Sequence, residues 1–219
     1  MSGGLPRRTG RPKKHVEIES FKTRAWYRCC VLESGASTPG ALDREFADTL
    51  CASRRAWERY ASGRHTPSMG RGSAPGIVQH VAWRFPKTLG VFTNPLWTAL
   101  HPGAQLHQKA VDQLLLKLDP EVREQFVYFG RDGTVQRDWS SILSCLWAYP
   151  QPDLAMDYLA AYLLLCRELR ESGRGNAADL AQTWLVSALE VLRSCPILCG
   201  IRTELSRFVS VHFLCDGDA

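Results

Sequence analysis

Apolar residues along this chain recur at helical spacing far more often than they alternate. Between Val16 and Glu33, the residues Ile18, Phe21, Ala25, Trp26, Cys29, Cys30 and Leu32 fall roughly every third or fourth position, which predicts an amphipathic helix. The break Ser-Gly-Ala-Ser-Thr-Pro-Gly follows. Ser37 or Thr38 is placed to cap a second helix over about 41–51, and Pro39 or Gly40 to open it. A third helix runs from Ser53 to Ala61, ahead of Gly63. The next stretch, GRHTPSMGRGSAPG, packs four Gly and two Pro into fourteen residues and reads as a loop.

Helical patterning returns over 76–84 and halts at Phe85-Pro86. With Pro95 in its middle, 88–101 reads as a broken helical or extended segment. Residues 102–118 predict a helix with Leu106, Val111, Leu114, Leu115 and Leu118 on its apolar face. A short helix over 120–129, a tight Gly-Arg-Asp-Gly turn and a helix from Asp138 through Trp147 come next. In the last third, 153–169 and 177–193 each carry an apolar face, and the short Ser-Gly-Arg-Gly-Asn linker makes them antiparallel neighbours. A final helix covers 201–213. No strand pair and no internal repeat is predicted. The fold class expected is all-α, a helical N-terminal region followed by a C-terminal helical bundle.

Composition changes this picture little. With 45% hydrophobic and 22% charged residues, the chain is an ordinary globular sequence, and 219 residues suffice for one large domain or two small ones. The longest apolar run, Tyr158 to Cys166, is nine residues, against about 18 needed to span a membrane. The start, MSGGLPRRTGRPKK, has basic residues without the apolar stretch of a secretory signal. A cytoplasmic, reducing location with no membrane partner is therefore expected. The eight cysteines, several of them within apolar helical patterns, are expected as free thiols.

Charge changes the picture more. Residues 1–90 hold 16 Lys+Arg against 7 Asp+Glu, a balance of +9, whereas 91–219 hold 11 against 15, a balance of −4. Such asymmetry points to an anionic partner for the basic half, nucleic acid foremost. A solvated surface with unevenly spread charge is the plainer alternative. Three segments follow: a flexible basic arm over 1–15, a helical region over 16–92, and an acidic-leaning helical domain over 93–219 for self-association or a protein partner.

Two stretches of the basic half carry candidate chemistry. In the arm, Thr9-Gly10-Arg11-Pro12-Lys13-Lys14 resembles the core of an AT-hook, with Thr9 where that element has an Arg. An extended Gly-Arg-Pro segment delivers a guanidinium into the narrow A·T minor groove. Arg7, Arg8, Arg11, Lys13 and Lys14 are its candidate nucleic-acid contacts, and a generic basic tail is the competing explanation. The second stretch comprises Leu42-Asp43-Arg44-Glu45-Phe46-Ala47, then Ala52 through Tyr60, then Gly63-Arg64-His65-Thr66-Pro67-Ser68. Over residues 41–92 it resembles a Cro/repressor-type (Xre-like) helix-turn-helix. In that family a Ser-capped recognition helix precedes a Trp-Glu-x-Gly-x-x-x-Pro segment. The resemblance implies that Ser53, Arg54 and Arg55 begin the recognition helix and meet base edges, and that Arg59, Arg64 and His65 reach phosphates. The spacing departs from the family in two places. Three residues separate Ser53 from Trp57, about a turn too few, and Tyr60-Ala61-Ser62 are three extra residues before Gly63. Without the resemblance, Trp57 and Tyr60 simply face a core and the arginines are solvated.

Cys195, Cys199, His212 and Cys215 form C-x3-C-x12-H-x2-C, a ligand set that would suit zinc. The apolar residues between them favour a plain core helix, so no metal and no cofactor is assigned. Catalytic signatures such as GxSxG, GxxxxGK[ST] and HExxH do not occur. Asp153 and Asp157 read as one solvated helix edge, and His101 and His107 lack a matching nucleophile. Trp83, Phe85, Phe92 and Trp97 read as packing residues. The expectation is a DNA-binding regulator or accessory factor that acts by binding and is not an enzyme. The rival is a helical protein–protein adaptor subunit of a larger assembly.

Overall fold

A computed structural model describes residues 16–47, 55–71, 74–104, 106–139, 142, 151–173, 183–186, 188–190 and 192–214. It is mostly helical, as the periodicity predicts. Helix α1 (Val16–Ser34) opens with Glu17 and Glu19 in its first turn, where carboxylates complement the helix dipole. It ends at Gly35, whose φ of +69° is the left-handed conformation of a helix stop. Helix α2 (Pro39–Glu45) is capped by Thr38, whose hydroxyl accepts from the Ala41 N–H at 3.2 Å, with Pro39 in the first turn. Helix α3 (Ala56–Ala61) corrects the expected start at Ser53, because Arg55 is left-handed at φ +76° and stands outside the helix; α4 (Ile77–Arg84) and α5 (Lys87–Thr93) follow. Pro95 separates α5 from α6 (Leu96–Ala99), and Asn94 bridges the break by accepting from the Leu96 N–H at 2.9 Å.

Helix α7 (Gln108–Leu115) starts six residues later than the apolar pattern suggests, because Pro102 and Gly103 sit in a turn ahead of it. Helix α8 (Pro120–Phe126) is capped by Asp119. Helix α9 (Ala155–Glu171) follows a 3-10 turn, Pro152–Leu154. Helix α10 (Arg202–Val209) runs on into a π-helical turn, Ser210–Leu214. Most of the expected helix over 138–147 lies outside the described residues; of that over 177–193, residues 183–186 and 188–190 are described and helical, and a 3-10 turn, Leu192–Ser194, follows.

Two antiparallel pairs correct the expectation of no strands. β1 (Gly70–Arg71) pairs with β2 (Ala74–Pro75), and β3 (Tyr128–Phe129) pairs with β4 (Val135–Gln136) around the Gly-Arg-Asp-Gly turn. Strands of two residues are too short to show alternation, so periodicity cannot reveal them.

The core forms two clusters, and α1 lies between them. Ile18, Phe21, Ala25 and Cys29 face the larger cluster with α6, α7, α8, α9 and α10. Trp26 and Cys30 face the smaller one with Leu42, Phe46, Ala56, Trp57, Tyr60, Ile77, Val78, Val81 and Phe92. Residues 16–92 and 93–219 thus share the packing of one helix. Helix α9 is the axis of the larger cluster. Thirteen of its 17 residues are buried, so the single apolar side expected of it is corrected to burial nearly all round.

Arginines fasten loops to this axis. Arg167, buried, donates to the Ala104 carbonyl at 3.0 Å and to the His101 carbonyl, and its guanidinium lies 5.1 Å from the Phe213 ring. Arg170 donates to the Phe213 carbonyl at 2.7 Å. Arg137, with a side chain only 2% exposed, sits between Asp112 of α7 at 2.6 Å and Glu168 of α9 at 3.0 Å.

Candidate nucleic-acid interface

Helix α3 is short, and tertiary packing holds it rather than its own hydrogen bonds. Its inward face consists of Ala56, Trp57 and Tyr60, all buried. Trp57 stacks on Trp26 of α1, with centroids 5.6 Å apart and planes 8° from parallel. Tyr60 meets both tryptophans edge-on at 5.6 and 5.8 Å, and Phe46 closes on Trp57 at 5.5 Å. Contacts of this geometry add about 0.5–1.5 kcal/mol each beyond the area they bury. Together they fix how α3 is rotated about its axis.

That rotation decides what faces water. Arg55, Glu58 and Arg59 lie on the outer face of α3, and Arg64 and His65 just beyond its end, all exposed. Arg55 is 81% exposed and 3.9 Å from Glu58, a loose ion pair. Its backbone is left-handed, φ +76° and ψ +18°, and it is the one non-glycine residue with positive φ among the described residues. The His65 ring stacks on Tyr60 at 5.8 Å. The site residues Arg55, Arg59, Arg64 and His65 are therefore brought onto one stretch of surface. Ser53, Arg54 and the arm residues Arg7, Arg8, Arg11, Lys13 and Lys14 lie outside the described residues.

The end of α3 is closed by a left-handed glycine. The Gly63 N–H donates to the Tyr60 carbonyl at 3.0 Å and the Arg64 N–H to the Arg59 carbonyl at 3.0 Å, closing the helix around Gly63 at φ +69°. A Cβ at Gly63 would also meet the Ser20 hydroxyl of α1, so glycine is required both for backbone conformation and for close approach. Counted from Tyr60, Gly63 stands at +3 and the buried Pro67 at +7. This is the spacing of Trp-Glu-x-Gly-x-x-x-Pro with Tyr in place of Trp. Six residues separate Ser53 from Tyr60, but the left-handed Arg55 stands between them and α3 begins only at Ala56. Trp57 lies one turn before Tyr60 on the same buried face.

The loop after Pro67 is locked at its base. The Gly76 N–H donates to the Met69 carbonyl at 3.2 Å, the Val78 N–H to the Ser68 carbonyl at 3.1 Å, and the Gly70 N–H to the Ser68 hydroxyl at 3.0 Å. Gly70 and Gly76 approach so closely that a Cβ on either would strike the backbone of this loop. The β1–β2 hairpin therefore stands on a rigid base at the start of α4.

The other candidates come out differently. Phe92 and Trp97 are buried packing residues and Phe85 is partly so, but Trp83 is 70% exposed with its ring 4.8 Å from His80, which corrects its expected place in the core. Asp157 is partly buried and accepts from the Asn94 side chain at 3.0 Å. Burial pushes its carboxyl above the usual range despite that hydrogen bond, so it is no solvated edge. Cys29, Cys30, Cys166 and Cys195 are buried free thiols and Cys199 an exposed one. Burial pushes Cys29 and Cys166 up to about 12, which keeps them protonated and poorly nucleophilic. His212 packs on Phe208 at 4.4 Å, and Cys215 lies outside the described residues. Among the described residues no group of three His, Cys, Asp or Glu is placed to hold a metal, and no helix is long and apolar enough to cross a membrane. No protein-family model, curated protein or solved structure matches the chain.

Proposed function

We propose that this protein binds duplex DNA through α3 and the turn after it, and acts by binding without chemistry. One observation carries the proposal: the aromatic cluster buries Trp57 and Tyr60, while Arg55, Arg59, Arg64 and His65 all remain on the opposite, exposed side. Three arginines against the single Glu58 make that stretch cationic at every physiological pH. The Tyr60–Gly63–Pro67 spacing supports the likeness to that family, but α3 begins at Ala56 and the left-handed Arg55 precedes it, so Ser53, Arg54 and Arg55 would meet bases from the segment leading into the helix, with Arg59, Arg64 and His65 towards phosphates. The arm would add phosphate or minor-groove contacts from Arg7, Arg8, Arg11, Lys13 and Lys14. Residues 93–219 serve self-association or a protein partner in this scheme. An adaptor role is favoured by a different feature, the adjacent Tyr128 and Phe129, both exposed on the β3–β4 hairpin.

The test is a fluorescence-anisotropy titration of the full chain against labelled duplex at two salt concentrations. Three phosphate contacts alone give a slope of log K against log salt of about −2.7, or roughly 40-fold weaker binding at 200 than at 50 mM. Arg59→Ala/Arg64→Ala should flatten the slope by about 1.8. An absence of binding at the lower salt, or a slope indifferent to the double variant, would refute the proposal. In the latter case co-purification of a protein partner would favour the adaptor.

A further inference from the structure

The exposed large apolar side chains are not scattered evenly. Val16, Val186 and Val211, exposed by 80, 50 and 54%, all stand beside α10 and its π-helical extension. Helix α10 forms a ridge whose outward side chains are Thr203, Glu204 and Arg207, followed one turn later by Val211. A groove of about 590 Å³ separates it from the start of α1, lined by Val16, Glu17, Phe21, Arg207, Phe208 and Val211. On its other flank a second groove, about 390 Å³, is lined by Val186, Leu189, Ser206, Ser210 and Leu214 among others. An isolated exposed valine needs no explanation, but apolar walls grouped around one ridge mark an interaction surface.

We propose that this face pairs with a second copy of the same chain. The argument is self-complementarity of shape and of charge. The patch carries both a helical ridge and, beside it, a groove, so a two-fold axis running alongside α10 would seat each copy's ridge in the other's groove. The groove wall carries Glu17 and the ridge carries Arg207. Arg207 has no ion-pair partner among the described residues, and Glu204 on the same ridge is already held by Arg24 at 3.0 Å. Seating the ridge brings Arg207 of one copy to Glu17 of the other, twice by symmetry. A partner of uniform charge would leave one of these two unpaired at the contact. The pairing is independent of DNA binding, although it would place two α3 surfaces on one particle.

Sedimentation equilibrium of the full chain without DNA is the deciding measurement. Expected is a mass twice the 24.6 kDa of one chain, reduced to one chain by Val211→Glu with the far-UV circular dichroism unchanged. Glu17→Arg and Arg207→Glu should each weaken the dimer by at least tenfold, and together restore it. A monomer at all concentrations overturns the proposal, as does a dimer indifferent to all these changes. A monomer that dimerises only after removal of residues 1–15 overturns it too, since the arm would then be the groove's occupant. Val211→Glu should still bind labelled duplex, so failure here and failure of the DNA-binding proposal give different results.

Discussion

Arg55 combines a backbone conformation that disfavours it with a charge placed at the proposed interface, and a matched pair of substitutions separates the two. Its left-handed φ of +76° costs a side-chain-bearing residue about 1 kcal/mol relative to glycine. Alanine carries the same Cβ and incurs the same cost, whereas glycine does not. Both changes delete the guanidinium, and both lose the 3.9 Å pair with Glu58, which is worth a few tenths of a kcal/mol at most at this exposure. Glycine gives back up to about 0.5–1 kcal/mol through the greater freedom of its unfolded chain. Arg55→Gly should therefore be as stable as the wild type or slightly more so, and Arg55→Ala slightly less. The gap, about 1 kcal/mol less the roughly 0.5–1 kcal/mol returned, is at most about 0.5 kcal/mol, or roughly 1–2 °C in Tm for a chain of this size. In the duplex titration the two variants should be indistinguishable, each losing about 1–3 kcal/mol of affinity at fixed salt with the slope little changed, since Arg55 is placed towards bases and not phosphates. Arg55→Gly less stable than Arg55→Ala by about 0.5–1 kcal/mol would show that the left-handed conformation is not adopted. An unchanged affinity in both would remove Arg55 from the interface.

Trp57→Ala opens the centre of the smaller cluster and should cost about 3–5 kcal/mol, read as a lower denaturation midpoint and lost near-UV circular dichroism. Arg137→Ala leaves Asp112 and Glu168 without their shared cation; a loss of about 3 kcal/mol is expected in urea unfolding, the low end for buried pairs because both carboxylates retain some water contact. Replacing all three together (Arg137→Met, Asp112→Asn, Glu168→Gln) should recover much of that. The raised carboxyl of Asp157 predicts a sign with pH: the folded state holds this proton more tightly than the unfolded chain, so stability falls as pH rises through the folded value. Asp157→Asn, which can still accept from Asn94, should therefore raise Tm at pH 7 and lose that advantage as pH falls below about 4, the ordinary aspartate value.

Most helices were legible because their apolar positions are sampled over two turns or more, and Thr38-Pro39 and Asp119-Pro120 mark starts by their chemistry. What could not be read has physical causes. The start of α7 depends on whether Pro102 belongs to a helix or to the turn before one, and Pro fits the first turn of either. The split of α1 between two clusters is invisible because Ile18, Phe21, Ala25, Trp26, Cys29 and Cys30 make one broad stripe whichever neighbours cover it. Arg137 and Arg167 look like surface residues until the carboxylates and carbonyls that neutralise them, 25 to 66 positions away, are folded against them. At the interface, four of the six residues singled out between Ser53 and His65 fall within the described surface, all exposed. A helix repeats its inward face every three to four residues, so Trp57 and Tyr60 satisfy the same pattern, and both are buried.

The shared helix limits how the chain can be cut. A fragment ending at residue 92 would keep Trp26 and Cys30 covered but carry Ile18, Phe21, Ala25 and Cys29 into water, with Ile18 and Phe21 alone forfeiting roughly 2 kcal/mol each. The complementary fragment would lack one wall of its interior. Neither piece keeps a complete interior on its own. The amides of α1 should be among the slowest to exchange with solvent, since releasing them requires both halves to open at once.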